Sequence, residues 1–284
     1  MGGAVRDWMT GQPFGDIDRA VNLPIETVAS YFSSGDVRVV ETGLQHGTIT
    51  LRCAEDSIEL TQTRFDLETD GRHAVVAYDS DWSSDAARRD FTINAIYLDA
   101  DGTIFDPLDG QSDLQAGRLK FVGDAAQRVK EDALRIIRYC RFLPRFEKAG
   151  VNAEMANLLR DNAALCADLS GERIAEELRQ IMVGDEVAVV VGLMRRAQID
   201  CFTLGIKFNL SPLRIDKNFD KILAQLGWLT GLATIMPVGS ARKLAKGLRV
   251  SRVEDRCISR MAVGIREEGV ARWEGRKGQR GRAE

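Results

Sequence analysis

The sequence predicts an α/β head, built from a mixed sheet with flanking helices, that is followed by an all-α neck and body. Three observations predict this architecture. The first third of the chain mixes helical runs with short alternating or β-branched runs, which are typical of strands. From about Ala125 onward, apolar residues recur at helical spacing instead. At 284 residues, the chain is long enough for two or three compact units, each with its own core.

The head is predicted to begin with a helix over Ala4–Met9, which the glycine and proline that follow terminate. A second helix is predicted over Ile25–Phe32. Alternating or β-branched apolar residues predict strands around Ile17 and over 37–42, 47–53, 57–65, 91–98 and 102–105. Asp101-Gly102 is a typical hairpin turn and joins the last two of these strands.

The rest of the chain is predicted to be helical. The first helix of this region carries its apolar residues on one face, namely Val129, Ala133, Ile136, Ile137 and Cys140. A second helix is predicted over Ala153–Asn162, and a third follows Ser170, which is a suitable N-cap. We therefore predict a head over 1–118, a neck over 119–183 and a body and tail over 184–284. The Gly/Arg-rich end over 272–284 is predicted to be disordered.

Charge is distributed unevenly along the chain, whose formal net charge is −3. Residues 1–120 contain 10 Lys/Arg and 21 Asp/Glu, whereas residues 121–284 contain 29 and 21. An acidic head before a basic helical region suits a metal-dependent catalytic unit joined to a unit that binds a polyanion, although chance can produce the same pattern. No apolar run approaches the roughly 18 residues of a membrane span, and five scattered cysteines fit a reducing cytoplasm.

Asp16 and Asp18 are the first candidates for chemistry. On a strand, both carboxylates would point to one face while Ile17 is buried behind them. Two close carboxylates repel unless a cation neutralises them, and oxygen ligands without His or Cys favour Mg²⁺. Two such ions can activate an attacking hydroxyl and stabilise a leaving pyrophosphate. Taken alone, the Asp-x-Asp pattern is weak, because it also occurs in turns and solvated loops.

Glycines directly upstream strengthen the case for the aspartate pair. Glycines that lead into a helix bring backbone N–H groups and the positive helix end close to a phosphate. The string Gly2-Gly3-Ala4-Val5-Arg6-Asp7, eight residues and then Asp16-Ile17-Asp18 resembles motif A of the class II CCA-adding enzyme and bacterial poly(A) polymerase family. The resemblance implies a nucleotidyltransferase head in which Asp16 and Asp18 bind Mg²⁺ while Gly3 and Arg6 contact a nucleotide.

Two further segments of the head extend this resemblance. Arg88-Arg89-Asp90-Phe91-Thr92-Ile93-Asn94-Ala95 resembles the family's motif B, which implies that Arg89 and Asp90 hold the sugar and triphosphate of the incoming nucleotide. Adjacent arginines can form charge-assisted bonds to phosphate oxygens, but a basic turn entering a strand is the alternative. Glu59 lies where the family keeps a third acidic residue, and the alternative there is an exposed strand glutamate.

The segment Glu131-Asp132-Ala133-Leu134-Arg135 resembles the family's base-reading motif. On one helix, Asp132 and Arg135 would share a face, where the carboxylate accepts from an exocyclic amino group and the guanidinium donates to the base. Glu131 belongs to the same segment, and Arg138 and Arg141 would continue the stripe toward the triphosphate. The alternative is a solvated helix face with ion pairs worth roughly 0.3–0.5 kcal/mol each.

The resemblance implies template-independent attack of an RNA 3′-hydroxyl on the α-phosphate of CTP or ATP, with release of pyrophosphate. The implied RNA is the 3′ end of tRNA. The alternatives are a poly(A) polymerase, an enzyme restricted to CC or A addition, and a non-catalytic relative that binds RNA or nucleotides. The oligomeric state is left open.

One departure from the family concerns the start of the chain. Family members normally carry a helix and a strand ahead of the two glycines, and that strand belongs to the catalytic sheet. Here Gly2 directly follows Met1. We therefore expect the coding frame to extend upstream, with Met1 an internal codon; an in-frame stop just upstream would contradict this.

Overall fold

The computed structural model describes residues 1–13, 17–32, 36–41, 43–54, 56–69, 74–78, 81–211, 227–237 and 239–260, with the backbone alone over 64–69 and 74–78. The chain divides into two units, Met1–Asp132 and Ala133–Glu284. Across the described residues, no helix combines the length and apolar character that crossing a membrane requires. The disordered end predicted over 272–284 lies outside the described residues.

A four-stranded mixed sheet forms the centre of the first unit. Its strands are β1 (Arg19–Val21), β2 (Arg38–Val40), β3 (Thr48–Cys53) and β4 (Asp56–Gln62), in the order β1-β4-β3-β2. β1 pairs with β4 in parallel, and β3 is antiparallel to both of its neighbours. This arrangement confirms the predicted mixed sheet, although the strand predicted around Ile17 begins only at Arg19.

Helices and two small hairpins complete the first unit. The helices are α1 (Gly3–Met9), α2 (Ile25–Tyr31), α3 (Trp82–Ala87), α4 (Gly110–Ala116) and α5 (Ala125–Glu131). The hairpins pair β5 (Arg64–Thr69) with β6 (Ala74–Tyr78), and β7 (Tyr97–Leu98) with β8 (Ile104–Phe105). The sequence predicted α1 and α2 but not α3, α4 or the β5–β6 pair.

One face of the sheet packs against α2. Ile25 and Val28 of the helix share a buried cluster with Ile49 and Leu51 of β3. Ile58 and Leu60 of β4 pack against the same cluster, so the residues between them point to the opposite face, because strand side chains alternate. Burial of alternate residues therefore decides which side of β4 is available for chemistry.

The second unit is helical in its described residues. It contains α6 (Leu134–Phe146), α7 (Ala153–Asn162), α8 (Gly171–Met182), α9 (Val187–Arg196), α10 (Ile199–Leu204), α11 (Trp228–Ile235), α12 (Ala241–Gly247) and α13 (252–260). The bounds of α7 and the start of α8 confirm the predictions. Asn152 caps α7 by accepting from the Met155 amide at 2.8 Å, and Ser170 accepts from the Arg173 amide at 3.5 Å.

The prediction of one continuous helix through residues 125–140 is wrong. α5 ends at Glu131, and Asp132 has extended backbone angles, with φ −149° and ψ 104°, before α6 begins at Leu134. Val129 and the apolar residues of α6 are nevertheless buried as predicted. No glycine or proline lies at the break; it coincides with the boundary between the two units.

The strand predicted over 91–98 is also wrong for most of its length. Thr92–Asn94 form a 3-10 turn, and only Tyr97–Leu98 pair as a strand. The reason is that the turn's polar groups bind elsewhere: the Thr92 amide donates to the Lys120 carbonyl at 3.0 Å, and the Thr92 hydroxyl donates to Asp113 at 2.7 Å. These bonds replace the ladder that a strand would need.

Candidate active site

Asp18 and Glu59 lie at neighbouring positions of the head sheet. The parallel register pairs Arg19 with Leu60, and continuing it by one residue puts Asp18 beside Glu59. Both residues are exposed. Glu59 faces away from the cluster that Ile58 and Leu60 pack against, and Asp18 directly precedes β1.

The rest of the predicted acidic set is described only in part. Asp16 lies outside the described residues. The prediction that Ile17 is buried is wrong, because its side chain is 43% exposed and lines a cleft. No group of three or more His, Cys, Asp or Glu residues suited to a metal occurs among the described residues. Asp18 and Glu59 fit part of an all-oxygen site for a hard divalent cation.

An open cleft of about 550 Å³ adjoins Asp18 in the first unit. Its lining is mainly apolar and includes Trp8 of α1, Leu60 of β4 and Tyr97 of β7. The Met1 ammonium donates to the Asp18 carbonyl at 2.7 Å, and the Gly2 amide donates to the Ile96 carbonyl at 2.9 Å. The glycine turn therefore bridges the start of β1 and the segment that leads into β7.

Arg6 ties α1 to the 3-10 turn. Its guanidinium is buried and donates to the Asp7 carboxylate through Nε and Nη2, at 2.9 Å each. Nη1 donates to the Asn94 side chain. The arginine predicted to contact a nucleotide thus also joins the glycine-led helix to the Arg88–Ala95 segment. Gly3 begins the helix beside it.

Arg89 supports the turn at Gly2. The backbone of Gly2 has a φ of +60°, which favours glycine, and an ideal Cβ there would lie 2.7 Å from Arg89 Nη1. The same Nη1 donates to the Asn94 carbonyl at 3.1 Å. Close approach and positive φ together explain why this position is a glycine.

Asp85 binds both Arg88 and Arg89, and this role was not predicted from the sequence. Its buried carboxylate accepts from Arg88 Nε at 2.7 Å, from Arg89 Nη2 at 2.9 Å and from Tyr97 Oη at 2.7 Å. Burial by itself raises the pKa of this carboxyl, but Arg89, Arg88 and the Tyr97 hydrogen bond outweigh burial and leave the pKa below its usual value. The signal in the sequence is helical spacing, because Asp85 precedes the arginines by three and four residues.

Asp90 folds back onto its own turn. Oδ1 accepts from the Phe91 amide and from Asn94 Nδ2, both at 2.9 Å. Because Asn94 also accepts from Arg6, a chain of hydrogen bonds runs from α1 to Asp90. The residues predicted to hold the triphosphate, Arg6, Arg89 and Asp90, therefore belong to one connected polar cluster.

Arg128 fastens α5 to the same segment. Its Nη2 donates to the carbonyl oxygens of Arg88 and Arg89, at 2.8 and 2.7 Å. Nη1 pairs with Glu131 at 2.5 Å. Glu131, predicted to help read the base, is thus bound to the arginine that anchors its own helix, and Asp132 follows directly.

Asp132 and Arg135 do not share one helix face. Asp132 directly follows the end of α5, and Arg135 is in the first turn of α6. Both residues are partly exposed. The prediction that the two sit together on a continuous helix is therefore wrong, because the backbone is extended at Asp132; their role in choosing the base stays a prediction.

Arg138 and Arg141 converge on Glu177 within the second unit. Glu177 of α8 is buried, and its carboxylate pairs with Arg138 Nη1 at 3.3 Å and with Arg141 Nε at 2.8 Å. Arg141 Nη1 also donates to Gln180. Glu177 was not predicted from the sequence. Contact of either arginine with a triphosphate stays a prediction.

Two family models match parts of this chain. Residues 1–120 match the family model "Poly A polymerase head domain", and residues 151–199 match "Probable RNA and SrmB- binding site of polymerase A". The human "CCA tRNA nucleotidyltransferase 1, mitochondrial" is 42% identical over 219 residues, covering 76% of this chain and 50% of that protein. A "CCA-adding enzyme" of Listeria innocua is 33% identical over 215 residues, covering 75% of this chain and 53% of that protein.

A solved structure shows the same fold. The Bacillus stearothermophilus CCA-adding enzyme in complex with CTP superposes with a TM-score of 0.74 at 25% identity, covering 94% of this chain and 65% of that one. The chain spans about half the length of the curated relatives described above.

Proposed function

The chain belongs to the class II CCA-adding enzyme and bacterial poly(A) polymerase family, and on that premise we propose that it adds C and A nucleotides to the 3′ end of tRNA without a template. The observation that carries the proposal is the head cluster, which consists of Gly2, Arg6, Arg89, Asp90 and Asn94. Gly2 lies against Arg89, Arg89 donates to the Asn94 carbonyl, and the Asn94 side chain binds Arg6 and Asp90. Asp18, Glu59 and the residues that we propose bind phosphate all belong to the first unit.

The reaction we propose is attack of an RNA 3′-hydroxyl on the α-phosphate of CTP or ATP, with pyrophosphate as the leaving group. Members of the family use a divalent metal, which we propose is Mg²⁺ held by Asp16 and Asp18 with Glu59 next to them. When bound, Mg²⁺ supplies Lewis-acid assistance to the attacking and leaving oxygens. The pairing of Arg19 with Leu60, the residues that directly follow Asp18 and Glu59, supports this assignment.

The head cluster would hold the nucleotide. We propose that Gly3, Arg6, Arg89 and Asp90 orient its sugar and triphosphate, with charge-assisted bonds from the guanidinium groups. Their mutual hydrogen bonds support the proposal, because groups held in place before binding lose less conformational entropy when the ligand arrives. Arg138 and Arg141, held by Glu177, would add positive charge.

The choice between C and A would depend on the residues around the end of α5. We propose that Asp132 accepts from the exocyclic amino group, which C and A share, and that Arg135 donates to a ring nitrogen or carbonyl, with Glu131 beside them. Guanine and uracil present a different pattern on this edge, so the same pair disfavours them. Partial exposure of Asp132 and Arg135 supports the proposal.

We also propose that residues 1–118, 119–183 and 184–284 act as head, neck and body. The match of the head model to residues 1–120 supports the first bound. Five cysteines, none of them in a disulfide, fit a reducing compartment, and we propose the cytoplasm. Because the human relative is named as mitochondrial, fractionation of source cells with an antibody to this protein is the test; recovery with mitochondria would contradict a cytoplasmic location.

The function is tested by incubating the protein with tRNA that lacks its CCA end, Mg²⁺, and CTP, ATP or both. We expect three nucleotides to be added, two C followed by one A. A long A tail would instead assign a poly(A) polymerase, addition of CC or A alone would assign a restricted enzyme, and RNA binding without addition would assign a non-catalytic relative. Activity should vanish in EDTA and return with Mg²⁺; return with other divalent ions only would overturn the choice of metal.

Substitutions test the acidic set separately. Asp16→Ala and Asp18→Ala should each lower kcat by at least about 1000-fold, because metal binding supplies several kcal/mol to the transition state. Glu59→Ala should lower kcat as well, whereas Asp56→Ala, which removes another exposed carboxylate from β4, should not. Equal rates for the Glu59 and Asp56 variants would remove Glu59 from the site.

A further inference from the structure

Asp85 binds Arg89 of the head cluster but is too buried to contact a ligand itself. Its side chain is 1% exposed and lies on α3, one turn before the two arginines. Oδ1 binds Arg88, and Oδ2 binds both Arg89 and Tyr97. One carboxylate thus accepts hydrogen bonds from two guanidinium groups and a phenol.

The plane of the Arg89 guanidinium follows from these bonds. A guanidinium is rigid and planar, and Asp85 contacts it at Nη2 and, at 3.2 Å, at Nε. The opposite edge, Nη1, faces the Gly2 turn and the Asn94 carbonyl. Asp85 binds one edge of the Arg89 guanidinium. It therefore fixes the orientation of the opposite edge, which faces Gly2.

We propose that Asp85 is a positioning residue for the nucleotide site. It holds Arg88 and Arg89 in the orientation in which the head binds a triphosphate, and it acts through them without touching the nucleotide. This inference rests on the proposed function, because it takes the Gly2–Gly3 turn and Arg89 as part of the nucleotide site.

The sign of the effect separates positioning from simple charge balance. Asp85→Asn removes one negative charge beside two arginines. If Asp85 only offset their charge, its loss would increase the positive potential and tighten the binding of an anionic nucleotide. If Asp85 positions the arginines, its loss frees the guanidinium groups and weakens nucleotide binding.

The experiment measures the Kd of CTP by calorimetric titration, and KM and kcat with tRNA that lacks its CCA end. For Asp85→Asn we expect Kd and KM to rise at least about tenfold, the loss typical of a hydrogen bond to a charged group, with a smaller change in kcat. Tighter or unchanged binding would overturn the proposal.

Asp81→Ala is the matched control on the same helix. Asp81 is exposed and caps α3 by accepting from the Ser83 and Ser84 amides, at 3.0 and 3.2 Å. Its loss should lower the melting temperature while the Kd of CTP stays unchanged. A similar rise in Kd for both variants would show that only the stability of α3 matters and would overturn the proposal.

Two further variants cover the case in which Asp85→Asn does not fold. Asp85→Glu keeps the charge but shifts the carboxylate by one methylene group, so positioning predicts a several-fold rise in Kd and charge balance predicts none. In a double-mutant cycle, Asp85→Glu should add little in an Arg89→Met background; full additivity would contradict action through Arg89. If the wild type neither binds CTP nor extends tRNA, the proposed function fails instead.

Discussion

Arg6, Arg89 and Asp90 carry groups suited to a nucleotide, and each is also bound to its neighbours in the head. Arg6 donates to Asp7 and Asn94, Arg89 to Asp85, and Asp90 accepts from the Phe91 amide. At the scale of the residue, these side chains are therefore candidate nucleotide-binding groups that also hold the neighbouring backbone and side chains in place. Substituting one of them changes binding and local structure together, so glycine and positioning variants are cleaner probes.

Gly2→Ala should destabilise the head and impair nucleotide addition. The substitution adds strain at a φ of +60° and brings Cβ to 2.7 Å from Arg89 Nη1. Gly11→Ala is the control, since Gly11 has a φ of +65° and nothing lies within 4 Å of its added Cβ. Strain alone costs about 1–2 kcal/mol, so Gly11→Ala should lose this amount in urea unfolding. Equal losses of stability and activity in the two variants would contradict the close packing at Gly2.

At the scale of the element, α5 connects the Arg88–Ala95 segment to Asp132. Arg128 binds the carbonyl oxygens of Arg88 and Arg89, just beyond the end of α3. Cations are favoured at helix C-termini because of the free carbonyl groups and the helix dipole. α5 ends three residues after Arg128, at Glu131. The bonds of Arg128 therefore fix the position of Asp132 within the first unit.

Arg128→Met should lower the free energy of unfolding by about 1–3 kcal/mol, the range for hydrogen bonds to a charged group. Lys130→Met removes an equal charge from an exposed position of the same helix and should change stability by less than about 0.5 kcal/mol. Chemical denaturation measures both. A loss in the Lys130 variant as large as that in the Arg128 variant would show that α5 depends on total charge, not on this anchor.

Packing of α8 against α12 predicts opposite effects at two glycines. A Cβ on Gly171 would overlap the Gly247 carbonyl oxygen, whereas a Cβ on Gly247 meets nothing within 4 Å. Gly171→Ala should therefore destabilise by about 1–3 kcal/mol, as overpacking does. Gly247→Ala should stabilise by roughly 0.5–1 kcal/mol, because alanine favours the helix. Thermal unfolding tests both, and stabilisation by Gly171→Ala would refute the contact.

At the scale of the whole molecule, the two units carry net charges of opposite sign. Residues 1–132 contain 12 Lys/Arg and 24 Asp/Glu, and residues 133–284 contain 27 and 18. α12, α13 and the turn between them carry exposed basic side chains, namely Arg242, Lys246, Arg249, Arg252, Arg256 and Arg260. An RNA substrate would be attracted to the second unit and repelled by most of the first.

Affinity for tRNA should therefore depend on salt mainly through the second unit. Replacing Arg252, Arg256 and Arg260 with Gln should lower the slope of log K against log salt by about 2, since each phosphate contact contributes roughly 0.7–0.9. Replacing the exposed first-unit residues Arg38, Arg52 and Lys120 with Gln is the control and should leave the slope almost unchanged. Filter-binding titrations between low and moderate salt measure both, and a larger change in the control would place the RNA on the first unit.

Local patterns in the sequence predicted several elements of this protein and its family. Helical spacing and caps predicted α7 and the start of α8, alternating apolar residues predicted β2, β3 and β4, and the glycine and aspartate spacing predicted the family. Each of these signals lies within a short stretch of chain, where neighbouring residues share a face or a cap. Such signals can be read from the sequence without any tertiary information.

Only the tertiary structure decided how these pieces are joined. Arg6 reaches Asn94 across 88 positions, Arg128 reaches the Arg89 carbonyl across 39, and Arg138 reaches Glu177 across 39. The break at Asp132 likewise has no local breaker and follows the boundary between the units. The physical reason is that a guanidinium forms hydrogen bonds with whichever carboxylates and carbonyls packing brings within about 3 Å. Because those partners are distant in the sequence, no local periodicity predicts them.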